Sequence, residues 1–541
     1  VNEMNSSSLH HIGYWTPREE LPAFEAKDIA EQIVNIREPI HIIFNERSGY
    51  LGISRGGELS KKPTSYPLLA TLPAMYPEWL GDREFLGVHK TRFPYITGEM
   101  ANGIATTRMV IAMAKAGMIG FFGSAGLSPQ HIEQAIEELE AALSEHRLSW
   151  GMNLIHSPNE PILEEAIVDL YIRRGVSRVS ASAFMGVTPN IVRYACHGLY
   201  RDSSGRIRRT NHLFAKISRP EVARQFMSPA PSAPVAALVQ QGKLTRQEAE
   251  LSQFIPLSED ITVEADSGGH TDNRSLTTLF PTIVGLRDEL LRTYSYNRSI
   301  RIGAAGGIAT PGSAAAAFAL GAAYIVTGSI NQACVESGLS AEGKQALAEA
   351  DLADVIMAPS ADMFEQGVKV QVLKRGTMFS SRGLQLYELY RKYRSLEEIP
   401  ADQIAKLERD IFKASLQQIW LETEQFFMKR DPSQLERAKN DPKHRMALIF
   451  RWYLGNASRW AIQGVTERKM DYQVWCGPSM GAFNAWTANS FLAEPSKRNV
   501  VQVALNLMEG AAIIARAQQL RTYGVPVPAK AFHIEPRILS V

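Results

Sequence analysis

Cysteine is scarce in this chain. Its 541 residues include only Cys196, Cys334 and Cys476, which are far apart, odd in number and outside any CxxC spacing. That scarcity argues against a disulfide framework or a zinc site and fits a reducing, cytoplasmic compartment. Charge of one sign is lacking too. A net charge of +2 gives no global field that would point to nucleic acid or a membrane as partner. The first residues show no basic segment followed by an apolar core, so no signal peptide is expected. GxGxxG, Walker A and HExxH signatures are absent, and a nicotinamide cofactor, if used, must dock without a Rossmann domain. Long charge-free runs are rare. The one from Ile302 to Val335 is divided by glycines and Pro311 into strand, turn, helix and strand, which reads as a buried unit and not as a membrane span.

What is present is a repeating pattern. Residues 1–90 read as a small separate unit, with strands at 39–44 and 51–54 joined by a turn at 45–49 and an irregular connection from Pro63 to Pro77. Short apolar strands then alternate with helical stretches. The strands fall at 93–97, 118–123, 149–155, 178–183, 213–218, 261–266, 300–305 and 324–328. Alternation favours a parallel sheet, and eight units favour a closed (β/α)8 TIM barrel over residues 91–350. Ser128-Pro129, Thr188-Pro189 and Thr310-Pro311 read as helix caps followed by proline, and Ser218-Arg-Pro-Glu221 has capping-box spacing. A rim insertion at about 229–256 is long enough to suggest a lid or substrate-binding role. Residues 351–541 read as a connecting segment and a helical C-terminal domain rich in aromatic side chains.

Barrel chemistry sits at the C-terminal ends of the strands. Strand 7 ends at Ala305 and is followed by Gly306-Gly307, and strand 8 leads into Thr327-Gly328-Ser329. Such loops commonly bind phosphate through backbone N–H groups, although glycine also serves plain turns. Strand 6 leads into Asp266-Ser267-Gly268-Gly269-His270. His270 is a candidate general acid or base, or a loop histidine bonded to its neighbours. Strand 1 leads into Gly98-Glu-Met100-Ala101-Asn102, while Asn153 and Lys216 are polar groups inside apolar strands 3 and 5. Buried polar groups need partners, either a cofactor or one another. Eight basic residues between Arg193 and Arg224 face only Asp202 and Glu221 in sequence. This excess fits either an acidic partner or a solvated loop.

The strand-end residues resemble those of the nitronate monooxygenase and FMN-dependent enoyl reductase superfamily over about residues 93–335. The segments GFFGSAGLSP, GGIATPGSAAAAFALGAAYIVTGSINQ and KRGTMF, with the stretch from Cys476 to Phe483, resemble the PfaD family. This is the family of separate enoyl reductase subunits of polyunsaturated fatty acid synthases and of related polyketide reductases. The resemblance implies FMN held by Met100, Ala101, Asn102, Asn153, Lys216, Asp266, Ser267, Gly268, Gly269, Ala305, Gly306, Gly307, Thr327, Gly328 and Ser329. It also implies NADPH as hydride donor, an enoyl thioester on acyl carrier protein domains as substrate, His270 as proton donor, and a homodimer as one allowed assembly. Asp266-Ser267 departs from the Glu-Ala of the superfamily, which weakens any transfer of the monooxygenase mechanism. A nitronate monooxygenase-like oxidase and a non-catalytic flavin-binding docking subunit remain as alternatives.

Overall fold

A computed structural model describes residues 10–540 apart from 19, 62, 64 and 159. At the N-terminus five strands, β1 (Gly13–Pro17), β2 (Ile40–Asn45), β3 (Tyr50–Ser54), β4 (Gly57–Ser60) and β5 (Tyr66–Leu72), form a sheet in the order β3-β2-β5-β1-β4. The β2–β3 hairpin turns where Asn45 Oδ1 accepts from the Arg47 amide at 3.0 Å and Gly49 adopts φ +72°. Strand β5 lies inside the stretch expected to be irregular. Pro67 is only its second residue, and prolines are tolerated at strand starts. Leu68 and Leu72 are then buried, so burial overrides the turn signal.

The barrel is closed and parallel. Its strands are β6 (Tyr95–Thr97), β7 (Ile119–Phe122), β8 (Gly151–Ile155), β9 (Arg178–Ser182), β12 (His212–Ile217), β13 (Asp260–Glu264), β15 (Arg301–Ala305) and β16 (Ile325–Thr327). A short hairpin, β10 (Tyr200–Arg201) with β11 (Ile207–Arg208), interrupts the series. Strand β13 ends at Glu264, two residues before the expected end. Phe121, Phe214 and Tyr324 fill the barrel interior edge to face, with centroids 5.1 and 5.9 Å from Phe214. At the N-terminal end, Arg301 grips Asp260 through bonds of 2.7 and 2.8 Å, and His89 reaches the same carboxylate at 3.1 Å. Arg178 Nε donates to His89 Nδ1 at 3.3 Å. The His89, His212 and Asp260 group is thus surrounded by guanidinium charge and serves as a structural plug.

Ser128, Thr188 and Thr310 each accept a backbone N–H at the start of their helices. The capping box expected at Ser218 does not form. Ser218 Oγ donates to Asp272 at 2.7 Å, and Arg219 takes the N-cap position without a side-chain bond. The rim insertion is no lid. Its helices Ser232–Gln240 and Arg246–Leu251 bury Val235, Leu238 and Leu251 against the outer face of the barrel. The basic run is neutralised within the fold: Arg193, Arg208, Arg209, Arg219 and Arg224 each pair with a carboxylate.

After the barrel, β17 (Val355–Pro359) and β18 (Lys369–Leu373) join β14 (Gly269–His270) in a small antiparallel sheet at the barrel mouth. Helices Leu416–Arg430 and Pro442–Gln463 roof that mouth. The chain then returns to the barrel. Helix Val500–Thr522 packs between barrel helix Pro311–Ala319 and the N-terminal unit, where Ala512, Ile513, Ala517 and Leu520 join the core under the sheet. It is the one described helix long and apolar enough to cross a membrane, but 83% of its apolar window is buried within the fold. The stretch from Ile302 to Val335 folds as strand, helix and strand. The three cysteines are unpaired and buried.

Candidate active site

A cavity of about 580 Å³ lies between the C-terminal ends of the barrel strands and the helical roof. Its volume is in the range of small-molecule and cofactor sites, about 300–1,000 Å³. Met100, Ala101, Asn102, Asn153, Lys216, Gly268, Gly269 and His270 all line it. These residues lie within or just after four different strands, because the ends of parallel strands converge there.

The floor holds a charge triad. Lys216 Nζ lies 3.1 Å from Glu99 Oε1 and 3.1 Å from Glu264 Oε1. Burial opposes the charge of Lys216, but the carboxylates of Glu264 and Glu99 outweigh it and hold the ammonium above its ordinary range. Burial raises the Glu264 carboxyl, and Lys216 only partly reverses that rise. Neither glutamate was singled out from sequence. The available signal is a lone carboxylate at the end of an apolar strand, facing a lone lysine on the neighbouring one.

His270 lines the same cavity. Pairing of β14 with β18 sets His270 opposite Val370 and brings it beside the loop that follows β17. Its Nε2 is 3.3 Å from Ser360 Oγ and 3.5 Å from Asp362 Oδ1. Burial disfavours the imidazolium, but Asp362 reverses this and holds the histidine above its ordinary value. A second histidine, His156, also lines the cavity. Its Nδ1 is 2.8 Å from Glu164 Oε2, and Glu164 Oε1 accepts from Thr188 Oγ1 at 2.9 Å. Burial opposes ionisation of Glu164, yet its partners, His156 first, hold the carboxyl below the usual range. Asp362 and His156 carry no sequence pattern that places them here.

Backbone geometry at the mouth is unusual. Ala183 and Asn102, both lining the cavity, have φ of +61° and +57°. Such conformations cluster at functional sites, where the surroundings fix them. A Cβ on Gly123 would lie 1.7 Å from the Met100 carbonyl oxygen, so glycine is required for the strand 1 turn to close on its neighbour.

The remaining expected residues do not reach the cavity wall. Asp266 accepts from Gln371 at 2.7 Å and Asn273 at 3.0 Å, which directs its side chain into the small sheet. Ser267 Oγ donates to Glu264 at 3.2 Å. Thr327 Oγ1 pairs with Tyr95 Oη at 2.6 Å inside the barrel. Ala305 is buried at the end of β15, in register with Glu264. Gly306, Gly307, Gly328 and Ser329 lie on adjacent loops after β15 and β16, beside the segment Trp475-Cys476-Gly477, whose Trp475 lines the cavity. The Gly477 amide donates to Ser329 Oγ at 3.1 Å, and Gln332 Nε2 donates to the Trp475 carbonyl at 2.5 Å. A Cβ added to Gly307 or Gly328 would meet nothing within 4 Å. Open space beside two adjacent glycine backbones, at the strand ends where barrels bind phosphate, fits the phosphate end of a flavin nucleotide.

Residues 477–481 spell G-x-S-x-G. Ser479 is the first residue of helix Ser479–Thr487 behind Pro478, without a preceding strand to form a nucleophile elbow.

Comparisons with known proteins place this geometry. Residues 393–472, which include most of the roof, match the family model of acyl-carrier-protein S-malonyltransferase, inserted helical domain. The chain is 45% identical over 450 residues to one of the polyunsaturated fatty acid synthase proteins of Thraustochytrium, and 44% identical over 446 residues to the polyketide biosynthesis protein PksE of Bacillus subtilis. These alignments cover 82% of the chain in each case but only 30% and 58% of the relatives. The chain therefore corresponds to part of each longer protein. The crystal structure of the enoyl reductase domain of MlnA, from the macrolactin cluster of Bacillus amyloliquefaciens, superposes with a TM-score of 0.78 at 40% identity. It matches over 82% of this chain and 99% of that one. A closed eight-stranded barrel, its helical roof and a near-complete match to a solved domain together establish that the chain belongs to the PfaD family, the enoyl reductase family of polyunsaturated fatty acid and polyketide synthases.

Proposed function

We propose that this protein reduces trans-2-enoyl thioesters carried on acyl carrier protein domains of a synthase, with NADPH as reductant and FMN as bound cofactor. The observation that carries the reading is the cavity over the barrel mouth, with the Lys216 triad on its floor and His270 on its wall. FMN, when bound, supplies the hydride relay between NADPH and the β-carbon of the enoyl thioester. Met100, Ala101, Asn102, Asn153, Lys216, Gly268 and Gly269 are the residues that would hold its ring system. Gly306, Gly307, Gly328 and Ser329 would take its phosphate.

The chain's own groups do the rest. Reduction leaves a proton to be delivered to the α-carbon. His270 can hold it, because Asp362 favours the imidazolium beside the cavity. Trp452 and Phe427 of the roof, together with Trp475, give the cavity an apolar face for the acyl chain. Carrier domains would come from the synthase to which the protein belongs.

The test is NADPH oxidation dependent on crotonyl-carrier thioester, in wild type and in His270→Gln. Loss of a positioned proton donor is worth about 10²–10⁴-fold in rate, and a fall of that size with retained flavin supports the assignment. Oxygen-dependent turnover of an alkyl nitronate without NADPH would overturn it.

A further inference from the structure

The roof carries a cation that the chain does not neutralise. Arg459, on helix Pro442–Gln463, lines the cavity, and no carboxylate among the described residues forms an ion pair with it. It lies against Phe426, with its guanidinium carbon 5.4 Å from the ring centroid. Arg430, at the end of helix Leu416–Arg430, lies 5.6 Å from the same centroid. Arg430 is held in a fork by Glu160 of the barrel, with bonds of 2.5 and 3.0 Å, so its position is fixed from the barrel side. Arg459 and Phe426 are both exposed residues, and partial burial of the guanidinium, with the charge of Arg430, holds it below its ordinary range. Two carboxylates that also line the cavity, Glu422 and Asp431, bond neutral donors and not Arg459. Glu422 accepts from Trp452 Nε1 at 3.0 Å, and Asp431 accepts from the Ser433 amide at 3.1 Å as a helix cap.

Two guanidinium groups held on one aromatic ring, one of them without an anion, are an arrangement that a bound anion relieves. Arginine offers a planar fork of donors that matches phosphate oxygens. We propose that Arg459 and Arg430, set on Phe426 in the cavity lining, form a binding site for the phosphate ester of a ligand whose reactive end lies deeper in the cavity. This builds on the reductase reading, in which both ligands are phosphorylated: the carrier's phosphopantetheine arm has a phosphodiester, and NADPH has a ribose 2′-phosphate.

Direct binding tests the site without turnover. Calorimetry on the full-length protein compares pantetheine 4′-phosphate with pantetheine, and 2′-phospho-ADP-ribose with ADP-ribose. The proposal expects the phosphorylated member of one pair to bind about tenfold or more tighter, the size of a charge-assisted bond to phosphate. Arg459→Gln should abolish that difference without weakening the phosphate-free partner, and Arg459→Lys should restore part of it. A difference confined to the pantetheine pair assigns the site to the carrier arm, and one confined to the nucleotide pair assigns it to the reductant. Equal binding within both pairs, or a phosphate preference that survives Arg459→Gln, overturns the proposal. A correctly melting variant excludes misfolding as the cause. Failure of the reductase reading would show instead as absent thioester-dependent NADPH oxidation, which these binding measurements do not use.

Discussion

Replacing Lys216 with methionine tests the electrostatic account of the cavity floor. Lys216 is 17% exposed and sits 3.1 Å from each of two carboxylates that are themselves only 6% and 18% exposed. At an effective dielectric of about 20, each contact is worth roughly 5 kcal/mol of attraction, much of it offset by desolvation. Removing the shared partner leaves two buried carboxylates facing each other, and breaking buried pairs in this way costs about 3–5 kcal/mol. If the barrel melts as a unit of about 250 residues, a loss of about 3 kcal/mol lowers its midpoint by roughly 6–12 °C. The sign of the pH dependence follows from Glu264, whose carboxyl is already raised above its ordinary value. A raised carboxyl favours the folded state at low pH and loses that contribution as pH rises through its folded value. Lys216→Met should therefore melt far below wild type at pH 8 and closer to it at pH 5. Adding Glu264→Gln to Lys216→Met should recover stability, since only one buried carboxylate then remains. Scanning calorimetry of the three proteins at both pH values measures this. A Lys216→Met protein as stable as wild type at pH 8, or a deficit independent of pH, refutes the reasoning.

Asp362→Asn should move the basic limb of the enoyl reduction profile to lower pH. Asp362 holds His270 protonated beyond its ordinary value, so its charge keeps the proton donor loaded as pH rises; an unmoved limb would separate Asp362 from the chemistry. Gly123→Ala forces a Cβ to within 1.7 Å of the Met100 carbonyl. Overpacking of this kind costs about 3 kcal/mol at the upper end of its usual range, so the variant should melt lower and release flavin during gel filtration. Ending the chain at residue 400 removes helix Val500–Thr522, whose Val503, Leu507 and Met508 are fully buried. The shortened protein should aggregate on expression, and a soluble monodisperse product would contradict the packing described.

The barrel was legible in the sequence because its strands are short apolar runs followed by helical stretches, several with capped starts, as at Thr188 and Thr310. Residues quoted from glycine-rich strand ends, such as Gly268, Gly269 and His270, line the cavity because the parallel topology itself brings strand ends together. Partners distant in sequence were not legible. Asp362 reaches His270 only through pairing of β14 with β18, and Arg430 reaches Glu160 across 270 residues. Asp266 and Thr327 look like site residues by position, yet hydrogen bonds to Gln371 and Tyr95 turn them away. The rim insertion shows why length alone misleads. Its buried Val235 and Leu238 make it part of the barrel wall, while the roof comes from helices more than 150 residues later in the chain.

The central claim is the flavin relay, and an anaerobic absorbance titration tests it directly. The account predicts a flavin band in the purified or FMN-reconstituted protein that NADPH bleaches and a crotonyl-carrier thioester restores. A protein that retains no FMN, or whose NADPH-bleached flavin is not reoxidised by the thioester, would contradict it.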